Sequence, residues 1–207
     1  MAVRTIRVYP DPILKQAAEP VEEIDESVVA VVQDLVDTML DAGHSVGVAA
    51  TQIGVLKRIV VVDISKSKLG KDKNHGLLEM INPEIIERSG SKMMREGCMS
   101  VPDYTGNVTR AEQIIVEFTN PGGQLRVIEA SGFEAVAIQH ELDHLDGNQA
   151  VAVALVVLGQ VGDRPPAAMP KNALGKILGL LPPPVQLDDP RGALGGCNRR
   201  DGNQQRL

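Results

Sequence analysis

The stretch AIQHELDHLDG, Ala137 to Gly147, places His140 and His144 four residues apart with Glu141 between them. On an α-helix, positions i and i+4 share one face, so two imidazoles can meet one metal ion with Glu141 beside them. Hydrolytic centres of this type keep one coordination position for water, and a neighbouring carboxylate takes that water's proton as it attacks a carbonyl. Glu141 is suited to be that base. Such a centre usually has three protein ligands, yet neither a His nor a Glu follows His144 anywhere in the chain. The third ligand is therefore expected upstream, or as an Asp or a Cys. Cys98, in REGCMSVPDY, is the strongest candidate. A thiolate is a strong soft ligand, and Gly97 lets the backbone come close to the ion. One Cys and two His suit zinc, iron, cobalt or nickel.

A third segment, HSVGVAATQIG at 44 to 54, completes the possible site. Gly47, Ala49 and Ala50 are small enough for close backbone packing against a ligand, and Gln52 offers an amide donor to a developing oxyanion. His75, in the polar segment SKSKLGKDKNHG, reads as a solvated loop residue. Cys197 reads as a free thiol.

These residues must be held by a fold. At 207 residues the chain suits one catalytic domain with an appendage, placed at residues 1–150 and 151–207. Hydrophobic residues at 43% and charged residues at 23% are globular values. The net charge of −6 speaks against general nucleic-acid binding. No signal-peptide pattern and no membrane-length apolar run are present, so a cytoplasmic protein without a membrane partner is expected.

Apolar residues at 28, 29, 32, 35, 36, 39 and 40 predict a helix over Val28–Leu40, capped by Ser27 and Gly43. Segments 58 to 64, 79 to 90, 113 to 119 and 124 to 130 read as strands of a mostly antiparallel sheet. Asn120-Pro121-Gly122-Gly123 turns between the last two. A further strand ends near Arg95. Ser131 and Gly132 introduce a second helix, FEAVAIQHELDHL. The expected class is α+β, with antiparallel sheets packed around that central helix. After Gly147 comes an apolar, uncharged stretch. From Gly162 onward seven of the thirteen prolines appear, a composition expected of a poorly ordered tail.

The segments SVGVAATQ (45–52), EGCMS (96–100) and HELDH (140–144) together resemble the three ordered motifs of the peptide deformylases. VYPDPILKQAAEPV and VTRAEQIIVEF also resemble that family, and the likeness runs from about Thr5 to Gly147. It departs at Ser45, where the family has glycine; if that position needs positive φ, Ser45 carries a modest backbone cost.

The resemblance implies a metal-dependent hydrolase that removes the formyl group from the N-terminal formyl-methionine of new polypeptides and releases formate. Cys98, His140 and His144 would hold one divalent ion, Fe²⁺ first and Zn²⁺ second, with Ni²⁺ or Co²⁺ as further choices. Glu141 would carry the proton, while Gln52 and the backbone N–H of Met99 would hold the oxyanion. Phe133, Val136 and Ala137 precede His140 by seven, four and three residues, so they share its face and can wall a methionine pocket. Val46 and Met94 are expected to contribute to it. The substrate would run extended beside Val46 and Gly47, adding a strand to a sheet edge. Arg110 is the expected partner of Asp143. A monomer acting on formyl-methionyl peptides, including nascent chains at the ribosome, is the expected arrangement. An inactive metal-binding homologue and an H-E-x-x-H peptidase are the alternatives.

Overall fold

The run Ile59 to Val62 is four β-branched residues, all buried. A strand reads that way when both of its faces are covered, and here a helix covers each. The computed structural model describes residues 2–70 and 74–148. In chain order these hold α1 (Glu26–Ala42), β1 (Gly47–Ala49), β2 (Ile59–Val62), β3 (Leu78–Ser89), β4 (Lys92–Cys98), β5 (Val101–Arg110), β6 (Gln113–Thr119), β7 (Leu125–Ser131) and α2 (Phe133–Leu145). Short 3-10 turns form at Pro12–Lys15 and Ala50–Ile53.

The pairings between these strands are antiparallel. One sheet has the order β1-β2-β3-β6-β7, and β4 and β5 form a separate hairpin. Val60 and Val62 pack with Met80, Ile114, Val116, Ile138, Leu142 and Leu145 in a core against α2. Ile59 and Val61 point the other way, with Val48, Ile81, Val32, Leu35 and Met39, in a core against α1. The two-residue side-chain period thus sends alternate residues of β2 to opposite helices. The class is α+β, as the sequence predicts.

Helix α2 spans the residues predicted for it. It is buried nearly all round, which removes any strong amphipathic stripe. Gly132 precedes it at φ 60°, a left-handed conformation suited to glycine, so the helix starts at a backbone corner without a side-chain cap.

Several expectations need correction. Helix α1 begins at Glu26, and its cap is Asp25, whose carboxylate accepts from the N–H of Val28 at 3.0 Å and from the Ser27 hydroxyl at 2.6 Å. Ser27 instead lies inside the first turn, because a charged acceptor two residues earlier reaches the same N–H groups. The hairpin's second strand, β5, escapes a pattern search because Pro102, Asp103, Gly106 and Asn107 are poor strand formers. Ser45 does not have positive φ. Among the described residues Asn82 is the non-glycine that does, and the Ser45 hydroxyl donates to the Gly47 carbonyl at 2.8 Å.

His75 is an exposed loop residue, as read, but it also has a partner. Its ring Nδ1 and its backbone N–H each lie 2.8 Å from a carboxylate oxygen of Glu134 in the first turn of α2. Glu134 is only 3% exposed and His75 41% exposed, so the histidine covers a buried acid. Among the described residues, no helix is long and apolar enough to cross a membrane. Residues 151–207, with the predicted tail and Cys197, lie outside the described residues.

Candidate metal centre

Three elements converge on one point. Helix α2 presents His140 and His144 from adjacent turns, their ring centroids 5.2 Å apart and their planes inclined at 62°. Cys98 ends β4, where the pairing with β5 slips between Gly97 and Cys98. Such an irregularity bends a strand and re-aims the side chain that follows. Sγ of Cys98 stands 3.3 Å from Nε2 of His144, and one donor atom from each of the three residues falls within 4.8 Å of the others. Donor atoms around one tetrahedral ion stand roughly 3.3–3.7 Å apart, given bond lengths of about 2.0–2.3 Å. The Cys98–His144 pair is at that separation, and a thiolate with two imidazoles suits a borderline-soft divalent metal.

The His140 imidazole is oriented from behind. Nδ1 of His140 lies 2.8 Å from Glu96 Oε2, which turns its other nitrogen toward the cysteine. Arg110 donates to both oxygens of Glu96, at 2.5 and 2.9 Å, and to Asp143 at 2.8 Å. Glu96 and Arg110 are each 8% exposed, so this doubly bonded pair is buried within the hairpin, and it reaches the helix through His140 and Asp143. Arg110 is thus the partner expected for Asp143. Glu96 is the part the sequence reading missed. Its signal was present, since it stands two residues before Cys98 in EGCMS, but nothing in a linear spacing pairs it with His140.

Burial disfavours charge on His140, yet the hydrogen bonds it donates to Cys98 and Glu96 outweigh it and hold its pKa well above the usual value. His144 goes the other way, lowered by burial and then by the nearby charges of His140 and Arg110. Glu96 is held below the usual carboxylate value: burial raises it, but the bonds from His140 and Arg110 prevail. Burial pushes Glu141 up to about 7. Oε2 of Glu141 is buried and has no hydrogen-bond partner among the described residues. A lone carboxylate oxygen at such a site awaits a proton donor, and water is the natural one.

Gln52 is fixed by both ends of its amide. Its Oε1 accepts from the Ala49 N–H at 2.9 Å, and its Nε2 donates to Ser100 Oγ at 3.1 Å and to Cys98 Sγ at 3.7 Å. Ser100, fully buried, is a second residue missed from sequence.

A cavity of about 700 Å³ opens over this centre. Its lining brings together Val46, Gly47, Gln52, Gly97, Cys98, Met99, Phe133, Val136, Ala137, His140 and Glu141. Met94 does not line it. That residue pairs with Val108 four positions before Cys98, some 13 Å along the strand at about 3.3 Å per residue. Arg95, Tyr104, His44 and Ser67 stand in the wall as well; the first three flank the quoted motifs, and Ser67 lies outside them.

Comparison with known proteins agrees with this geometry. The chain matches the model of the family described as polypeptide deformylase over residues 3–154. It is 47% identical over 147 residues to a peptide deformylase of Halothermothrix orenii, an alignment covering 71% of this chain and 90% of that protein. Peptide deformylase 1 of Bacillus subtilis is 44% identical over 71% of this chain and 87% of its own length. Among solved structures, a peptide deformylase from Legionella pneumophila superposes with a TM-score of 0.65 at 40% identity, covering 70% of this chain and 82% of that one. One from Ehrlichia chaffeensis, in complex with actinonin, gives 0.66 at 37% identity over 71% and 86%.

Proposed function

The chain belongs to the polypeptide deformylase family, and on that premise we propose that Cys98, His140 and His144 hold the metal ion with which it removes formyl groups from N-terminal formyl-methionine. The observation that carries this reading is the meeting of those three donor atoms within 4.8 Å beside the buried, unpartnered oxygen of Glu141. When bound, a divalent ion supplies Lewis acidity toward the formyl oxygen and lowers the pKa of water.

The rest is done by the protein. Glu141 accepts the proton of the attacking water, and a carboxyl held near 7 by burial is matched to that task at neutral pH. It then delivers the proton to the nitrogen of methionine as the C–N bond breaks, leaving formate and a free amine. Gln52 Nε2 and the Met99 N–H donate to the oxygen that gains charge. Loss of one such donor costs roughly 10²-fold or more in rate. Phe133, Val136 and Ala137 take the methionine side chain, and the peptide extends along the edge of β1 at Gly47 and Val46.

Fe²⁺ is the first choice of ion and Zn²⁺ the second, since the donor set suits both. We assign the enzyme to the cytoplasm as a monomer, acting on peptides that leave the ribosome. The test is an anaerobic assay of formate release from formyl-Met-Ala-Ser, with metal analysis of the same sample. Glu141→Ala is expected to lose about 10²- to 10⁴-fold in kcat while keeping its metal. Metal retention without formate release by the native chain would point to an inactive homologue. Cleavage of internal bonds in unformylated peptides would point to a peptidase.

A further inference from the structure

The outward face of β4 meets the active-site cavity at one charged residue. Burial alternates along the end of this strand, with Met94, Glu96 and Cys98 turned inward and Met93, Arg95 and Gly97 exposed. Glu96 reaches His140 of α2, so the exposed set points away from that helix. Arg95, Glu96 and Gly97 stand in the cavity wall together with Ser45, Val46 and Gly47 on the β1 side. A peptide lying along the edge of β1 therefore passes β4 as well, and its own side chains alternate. The methionine points toward α2, where Phe133, Val136 and Ala137 line the cavity, so the second residue's side chain points away from α2 and the third points back. The second is thus on the side of Arg95. Its Cα lies roughly 6 Å from the formyl carbon, and Arg95 is three strand positions, about 10 Å, from Cys98. An arginine stem spans such a gap.

From this juxtaposition we infer that Arg95 is a specificity-determining residue that contacts the side chain of the substrate's second residue and favours an acidic one. The inference rests on the deformylase reading of the metal centre. Arg95 is exposed, its Nε donates to Thr105 Oγ1 at 2.7 Å, and it is in no ion pair among the described residues. That bond holds the stem and leaves the terminal nitrogens to meet a carboxylate, for which the planar fork is shaped. The acids in the same wall do not cancel its charge. Glu96 is bound to Arg110 and His140, and Glu141 is buried at the metal centre. His44, also in the wall, adds no negative charge.

The test compares kcat/KM for formyl-Met-Glu-Ser-amide and formyl-Met-Lys-Ser-amide on the metal-loaded native chain, on Arg95→Gln and on Arg95→Glu. The amides remove the terminal carboxylate, and the ratio of two peptides on one sample cancels its active fraction. The native enzyme is expected to favour the Glu peptide by about 2- to 5-fold at low salt, the scale of an exposed ion pair, and by less as salt is raised. The preference vanishes in Arg95→Gln and inverts in Arg95→Glu. The same exchange at the third residue, formyl-Met-Ser-Glu-amide against formyl-Met-Ser-Lys-amide, is expected to give a smaller ratio, because that side chain points toward α2. Equal rates on the first pair, a preference that Arg95→Gln leaves in place, or an equal ratio at the third residue would overturn the assignment. Formyl-Met-Ala-Ser-amide separates the two readings. If it yields no formate, the deformylase reading fails and this inference falls with it; if it is turned over, the outcome bears on Arg95 alone.

Discussion

A methyl group added to Gly47 would lie 2.5 Å from Glu141 Oε1 and 2.8 Å from its Cγ, closer than nonbonded atoms come. Glu141 is 4% exposed and has little room to swing aside. Gly47→Ala should therefore displace the base and leave the ligands in place. We expect kcat to fall about 10²-fold, as for a misplacement of roughly 1 Å, with unchanged metal stoichiometry. Parallel formate assays and metal analysis check this, and a variant of native rate would mean that Glu141 tolerates the shift. The position thus needs glycine for space, whereas Ser45 two residues earlier needs no special backbone.

At the scale of elements, the link between His75 and Glu134 ties the loop before β3 to the first turn of α2. His75→Ala leaves the backbone N–H as the one donor from that residue to a buried carboxylate. An acid short of a partner in such a place costs about 1–3 kcal/mol, or roughly 3–10 °C in Tm at this chain length. Thermal unfolding of His75→Ala, and its recovery in His75→Ala with Glu134→Leu, is the measurement; an unchanged Tm would mean the pair holds nothing. The cap of α1 makes a pH-dependent contribution. Hydrogen bonds from Ser27 and Val28 hold the Asp25 carboxylate below its ordinary value. Its folded pKa is depressed, so its stabilisation is full above the unfolded value of about 3.9 and is lost as pH falls through the folded one. Asp25→Asn keeps a capping acceptor without that titration, so its Tm should fall less steeply than the native Tm below about pH 4. Both links show what was legible in the sequence. Periodic segments such as Gln113–Thr119 and Phe133–Leu145 could be placed because local pattern and burial agree there. The three residues proposed as metal ligands could be picked out because His and Cys are rare in this chain and the two histidines have helical spacing. Glu96–His140, Glu134–His75 and Ser100–Gln52 were not, since each joins residues more than forty positions apart that ordinary composition does not mark, and strand β5 was hidden by its own Pro, Asp and Gly.

For the whole molecule, the centre joins the hairpin to the helix that fills the main core, so a bound ion stabilises the native state alone. Anaerobic chelation is expected to lower Tm by roughly 5–10 °C, from about 2.7 kcal/mol at a hundredfold excess over Kd and the size scaling of Tm. Re-addition of Fe²⁺ or Zn²⁺ should restore it; an indifferent Tm would argue that no metal links these elements. The ligands also arrive in a fixed order. Cys98 precedes His144 by 46 residues, and at about 5–20 residues per second of synthesis the thiol emerges several seconds ahead of the second imidazole. No partial product shorter than 144 residues can then carry the full donor set. A full donor set therefore has to wait until α2 has been made and docked, so the helix that carries two of the three donors also times the capture of the ion.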